Sequence, residues 1–114
     1  MKLTNRQLVP FVNLSGGNDS ILTKKVPRKL YSAISQNMIA VDAMAKTFIK
    51  QRAEISDDDI EAIEELLAIE SEVIIQTVPE SVFDMMDASD KFDSLTGKEY
   101  AALEFMIEKE PTNE

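Results

Sequence analysis

Histidine, cysteine and tryptophan are absent from this chain of 114 residues, and glycine and proline are scarce at three and four. Without His or Cys there is no imidazole base, no thiolate nucleophile and no zinc site built from nitrogen or sulfur. Disulfides are excluded as well, which fits a reducing cytoplasm. No apolar run approaches the ~20 residues needed to cross a bilayer. The opening Met1-Lys2-Leu3-Thr4-Asn5-Arg6 lacks the apolar stretch of a secretory signal. Catalysis would be left with carboxylates, lysines or an oxygen-ligated metal, each needing a pocket that a short chain builds with difficulty. The expectation is a protein that is not an enzyme, holds no cofactor or metal and has no membrane partner.

What is present is an apolar fraction of 44%, ordinary for a folded protein. The length fits a single domain, read as residues 1–109 with a frayed tail at 110–114. Four helix starts are marked by a hydroxyl three residues before an acid or amide: Thr4 with Gln7, Ser56 with Asp59, Thr77 with Glu80 and Thr96 with Glu99. A hydroxyl so placed accepts the N3 backbone N–H while the later side chain reaches back to the cap. The first helix should run from about Asn5 to Leu14 and stop at Ser15-Gly16-Gly17-Asn18-Asp19. Pro10 predicts a kink in it, or a later start, because proline lacks an N–H and crowds the preceding turn.

Pro27 suits a first helical turn, and no glycine or proline follows from Arg28 to Arg52. Tyr31, Ile34, Met38, Val41, Ala45 and Phe48 are spaced three and four apart, predicting one long helix of roughly 35–40 Å. Leu30, Met44 and Ile49 widen the stripe beyond a coiled-coil seam. Ser56-Asp57-Asp58-Asp59 opens a third helix, with Ile60, Ile63 and Leu67 as its apolar repeat, completing an antiparallel helical hairpin. Glu72-Val73-Ile74-Ile75-Gln76-Thr77-Val78 reads as a strand ended by Pro79, with Lys2-Leu3-Thr4 its only obvious partner. A short helix near Pro79–Met86, a polar turn and a last helix from Thr96 to about Lys109 complete the chain. The fold class is α+β, helix-dominated, with a small two-stranded element.

Several acidic runs invite a metal reading. Asp57-Asp58-Asp59 with Glu61 offers oxygens to a hard cation, yet acids also gather at a helix start to complement its dipole. The segment from Asp84 to Asp93 fails as a calcium loop, because counting from Asp87 puts Lys91 at a ligand position and Phe92 at the glycine. Gly97-Lys98 lacks the upstream glycine and following hydroxyl of a phosphate loop. Of the adjacent pair Met85-Met86, only one can face inward.

Charge divides sharply along the chain. From Met1 to Ala53 there are nine Lys or Arg against two acids; from Glu54 onward there are three against nineteen. The halves can neutralise each other within one subunit, assemble head to tail, or leave an acidic face that repels nucleic acid and attracts a basic protein surface. The excess acid falls on Asp57, Asp58, Glu61, Glu64, Glu65, Asp84, Asp87 and Asp90, the candidate interaction surface.

Four segments carry a resemblance: Met1 to Leu8; Lys24 to Tyr31 leading into a helix that holds Asn37; Glu70 to Gln76 followed by Val78-Pro79; and Leu95 to Tyr100 with Leu103 to Ile107. In this order they resemble a family of short proteins of unknown function encoded by tailed phages and prophages of Gram-positive bacteria. The resemblance implies phage origin and a setting in the host cytoplasm or the virion, and it brings no active-site residues. The expected function is a phage accessory protein acting by protein–protein contact, in morphogenesis or in modulating a host factor, with self-association as one form of contact. The alternative is an acidic mimic of nucleic acid that inhibits a host nuclease or defence system, which requires two rows of carboxylates near phosphate spacing.

Overall fold

The computed structural model describes residues 1–15 and 20–109. The expected helix stop at residues 16–19 and the expected tail at 110–114 lie outside them.

The N-terminus forms β1 (Lys2–Thr4), which runs directly into α1 (Asn5–Ser15). The predicted capping box is present: the Gln7 N–H donates to Thr4 Oγ1 at 3.2 Å, and the Thr4 N–H donates to Gln7 Oε1 at 3.0 Å. Pro10 neither delays the helix nor ends it. It sits on the exposed side of the helix, and as a proline it gives the Arg6 carbonyl no donor. Leu8 and Phe11 point the other way, into the core.

A 3₁₀ turn (Ile21–Thr23), capped by Ser20 Oγ, leads to α2 (Arg28–Ala40). The single long helix predicted here is broken at Val41 into α2 and α3 (Asp42–Ala53). Val41 has φ −96° and ψ 1°, off the helical values, although its N–H still reaches Asn37 O at 3.0 Å and its carbonyl accepts the Ala45 N–H at 2.8 Å. The bend keeps Val41 in the core while α3 contributes no buried residue of its own. Tyr31, placed on the predicted seam, is exposed; Ile34 and Val41 are buried, and Met38, Ala45 and Phe48 are half-buried. Periodicity alone cannot register a bend that core packing imposes.

After the turn Glu54–Asp59 comes α4 (Ile60–Ala68), packed on α1 and α3. Its cap is Asp59, whose carboxylate accepts the Ala62 N–H at 3.1 Å, rather than the predicted Ser56. Ser56 instead closes the preceding turn, accepting the Asp59 N–H on its carbonyl. Aspartate is a strong N-cap and too short to reach back from N3, so the helix starts one turn later.

The predicted partner of the strand is correct, but its span is shifted. β2 (Glu70–Glu72) pairs antiparallel with β1, setting Leu3 opposite Ser71. Val73, Ile74 and Ile75 continue beyond the ladder, with burial alternating along them. A second pairing, unforeseen, joins β3 (Val78–Pro79) in parallel to β4 (Ile107–Glu108). It shortens the last helix: α6 (Gly97–Leu103) tightens into a 3₁₀ turn (Glu104–Met106) and ends in strand at Ile107. Between them lies α5 (Glu80–Ala88), whose N-cap is Pro79, so the Thr77–Glu80 box predicted for it does not form. α6 does carry its predicted box, Thr96 with Glu99.

The core gathers Leu3, Leu8, Phe11, Ile21, Leu30, Ile34, Val41, Val78, Phe83, Met86, Leu103 and Met106, while residues 42–77 add only partly buried side chains to it. Two buried asparagines fasten its parts. Asn5 Nδ2 donates to Leu66 O at 2.8 Å, and the Asn5 N–H to Ile69 O at 3.0 Å, tying the start of α1 to the end of α4. Asn37, fully buried, donates to Gln76 O at 2.9 Å and accepts the Gln76 N–H at 2.7 Å, so α2 grips the extended segment as a neighbouring strand would.

Gly97 begins α6 with nothing within 4 Å of where a Cβ would stand and no positive φ. Gly97→Ala is expected to stabilise the fold by about 0.4–1 kcal/mol through a stiffer unfolded chain. Thermal melting checks this, and a lowered midpoint would contradict it.

Candidate interaction surface

The five candidate acids of the first group surround the start of α4, and all are exposed. Two are engaged. Arg52 Nη2 reaches Asp57 Oδ1 at 2.8 Å while its Nη1 donates to Ile55 O, bracing the turn between α3 and α4. Arg6 pairs with Glu64 across the α1–α4 packing. Asp58, Glu61 and Glu65 meet no cation among the described residues. Ile60, read from the sequence as part of the inward stripe, is 64% exposed among them; Leu66 is buried in its place, with Ile63 and Leu67 half-buried. Ile69, at the other end of α4, is also exposed. The face therefore mixes free carboxylates with uncovered isoleucine.

Asp84 and Asp87 lie on the exposed side of α5 and Asp90 just beyond it. Met85 is exposed beside them, while Met86 is buried. α5 packs on β3 and meets α6 through Phe83 and Tyr100, an edge-to-face pair at 5.6 Å. The two groups sit on different helices, α4 and α5. The connector that resembled a calcium loop has a structural use: Asp93 Oδ2 accepts the Lys25 N–H and the Asp93 N–H donates to Lys25 O, both at 2.8 Å. Among the described residues no group of three or more acids is placed to hold a metal ion. Among the described residues no helix is long and apolar enough to cross a membrane.

Among the described residues three side-chain ion pairs join the basic half to the acidic half: Arg6–Glu64, Arg52–Asp57 and Lys24–Glu99. The first two have largely exposed carboxylates and contribute only about 0–1 kcal/mol each. The third is enclosed: Lys24 Nζ reaches Glu99 Oε1 at 2.6 Å, with the glutamate buried. The sequence showed Glu99 as a cap but gave no sign of Lys24, 75 residues away. Burial raises the Glu99 pKa, yet the hydrogen bonds from Lys24 and Thr96 and the charge of Lys24 together hold it below the ordinary carboxylate value.

Because the folded pKa lies below the unfolded one, the carboxylate's contribution is present above the unfolded value, about 4.3. It is lost as pH falls through the folded value. Glu99→Gln is accordingly expected to weaken the fold at neutral pH and to flatten its loss of stability below pH ~4, as read by melts across pH. Parallel pH profiles for the two proteins would contradict the assignment.

No family model, curated protein or solved structure matches this chain.

Proposed function

We propose that this chain is a non-catalytic phage or prophage accessory protein that works by protein–protein contact, through the acidic face of α4. The observation that carries the reading is the exposure of Ile60 amid Asp58, Glu61 and Glu65, none of them paired within the described residues. An uncovered isoleucine at the start of a helix that also carries free carboxylates suits a partner surface with an apolar recess bordered by Lys or Arg. Desolvating the isoleucine contributes about 1.5–3 kcal/mol, and the charges set orientation and speed of encounter. The missing His and Cys accord with a role that needs a stable surface and no chemistry. The phage setting, in host cytoplasm or virion, rests on the resemblance of the four sequence segments.

The test is affinity purification of the tagged protein from phage-infected cells, beside a Glu61→Lys/Glu65→Lys variant. One phage or host protein should be retained by the native chain and lost by the variant. Equal recovery by both would remove the α4 face from the account. Displacement of the partner by duplex DNA would favour mimicry of nucleic acid instead.

A further inference from the structure

A second surface is open along the edge of β2, and it does not depend on the α4 face. The β1–β2 sheet has two strands, so β2 has one free edge. Which residues face that edge follows from two contacts. Val73 exchanges both backbone hydrogen bonds with Met1, the N–H at 2.9 Å and the carbonyl at 3.1 Å, so residue 73 faces β1. Gln76 presents its N–H and carbonyl to Asn37 on α2, so residue 76 faces the opposite way. Facing alternates along an extended chain. Residues 70, 72 and 74 therefore direct their backbone groups away from β1, on the side where Asn37 already acts as a surrogate strand for residue 76.

Beyond Asn37 the helices leave this side open. A groove runs between Ser71, Glu72 and Val73 on one wall and Ala40, Ala43 and Thr47 on the other. Ala40, Ala43 and Thr47 are the small members of a helical wall that also carries Met44, Phe48 and Gln51. Ile74, at the end of the edge, is 83% exposed, and its N–H meets no acceptor among the described residues. Glu70 and Glu72 are exposed on the same face of the segment as Ile74, the Glu72 carboxylate accepting from the Met1 ammonium at 2.9 Å.

We infer that this groove takes an extended peptide segment of another protein as an added antiparallel strand on β2. Charge and shape choose its side chains. Residues opposite Glu70 and Glu72 carry Lys or Arg, the residue opposite Ile74 is apolar, and those opposite Ser71 and Val73 are apolar and of modest size. A second copy of β2 would set Glu70 and Glu72 against their own kind and is disfavoured on this edge.

The test uses a blocked peptide of sequence Ile-Val-Lys-Val-Lys, titrated into the isotope-labelled full chain and followed by amide shifts. Shifts are expected at Glu70 to Ile74 and Ala40 to Thr47. The same peptide N-methylated at both lysines, unable to donate to the edge, should bind at least tenfold more weakly, as should a version with Glu for Lys. Ala43→Trp should block binding while leaving the melting temperature unchanged. Equal binding of the N-methylated peptide, shifts confined to α4, or no shifts at millimolar peptide would each overturn the inference.

Discussion

Asn37→Ala is expected to lower the stability of the fold by about 2–4 kcal/mol, the sum of two hydrogen bonds and a small cavity. The side chain is fully buried and occupies both backbone groups of Gln76, on a segment that otherwise has little to hold it to α2. In a domain of this size such a loss lowers the melting midpoint by roughly 10–20 °C. Two controls separate the hydrogen bonds from the volume. Asn37→Leu fills the space but strands the Gln76 groups, so it should recover only the cavity part. Asn37→Asp keeps the acceptor, loses the donor and buries a charge, so its deficit should shrink at acidic pH as the carboxyl is protonated. A leucine variant more stable than the native chain would show that the clamp contributes nothing.

The second large effect is at Phe11. It is fully buried at the centre of the core and meets Phe105 edge to face, with ring centres 5.1 Å apart. Phe11→Ala removes an entire ring from a close-packed site and is expected to cost about 3–5 kcal/mol. That is much of the 5–15 kcal/mol typical of a whole domain, so the variant should unfold near physiological temperature. Phe11→Leu keeps most of the volume and should fall by only about 1–2 kcal/mol. Phe105→Ala should be milder because Phe105 is only partly buried. The cycle through both alanines should leave a coupling of about 0.5–1.5 kcal/mol for the aromatic pair. Chemical denaturation measures all four proteins; strict additivity would contradict direct contact of the rings.

Both residues show how far the sequence could be read. Phe11 is legible in that it follows Leu8 by three residues, which puts both on one side of a helix, and the helix formed where the Thr4 and Gln7 side chains could close a box. The Thr96–Glu99 box was legible for the same reason, since all its contacts lie within four residues. Thr77 and Ser56 matched the same pattern and failed: Val78–Pro79 is drawn into the β3–β4 pairing so that α5 begins only at Glu80, and Asp59 caps α4 instead. Asn37 was illegible. Nothing in an amide on a helix announces a backbone 39 residues away. The bend at Val41, the β3–β4 pairing and Lys24's hold on Glu99 are of the same kind, decided by which surfaces meet after the chain has folded. The candidate acids were read correctly as exposed, since charge seldom goes inside unpaired. Which of them stay free was not readable, because Arg6 comes from 58 residues away and the Arg52–Asp57 pair depends on how the turn between α3 and α4 closes. Ile60 was read as buried, and its exposure is what turns a run of acids into a mixed surface suited to contact.

The central claim, contact through the α4 face, is tested most directly by charge reversal against the purified partner. Affinity should be measured for the native chain, for Glu61→Lys/Glu65→Lys on α4 and for Asp84→Lys/Asp87→Lys on α5, with melting temperatures confirming that all three are folded. Contact through α4 predicts at least a tenfold loss, about 1.4 kcal/mol, for the α4 pair and little change for the α5 pair. Unchanged affinity in the α4 variant, or a larger loss from α5, would contradict it.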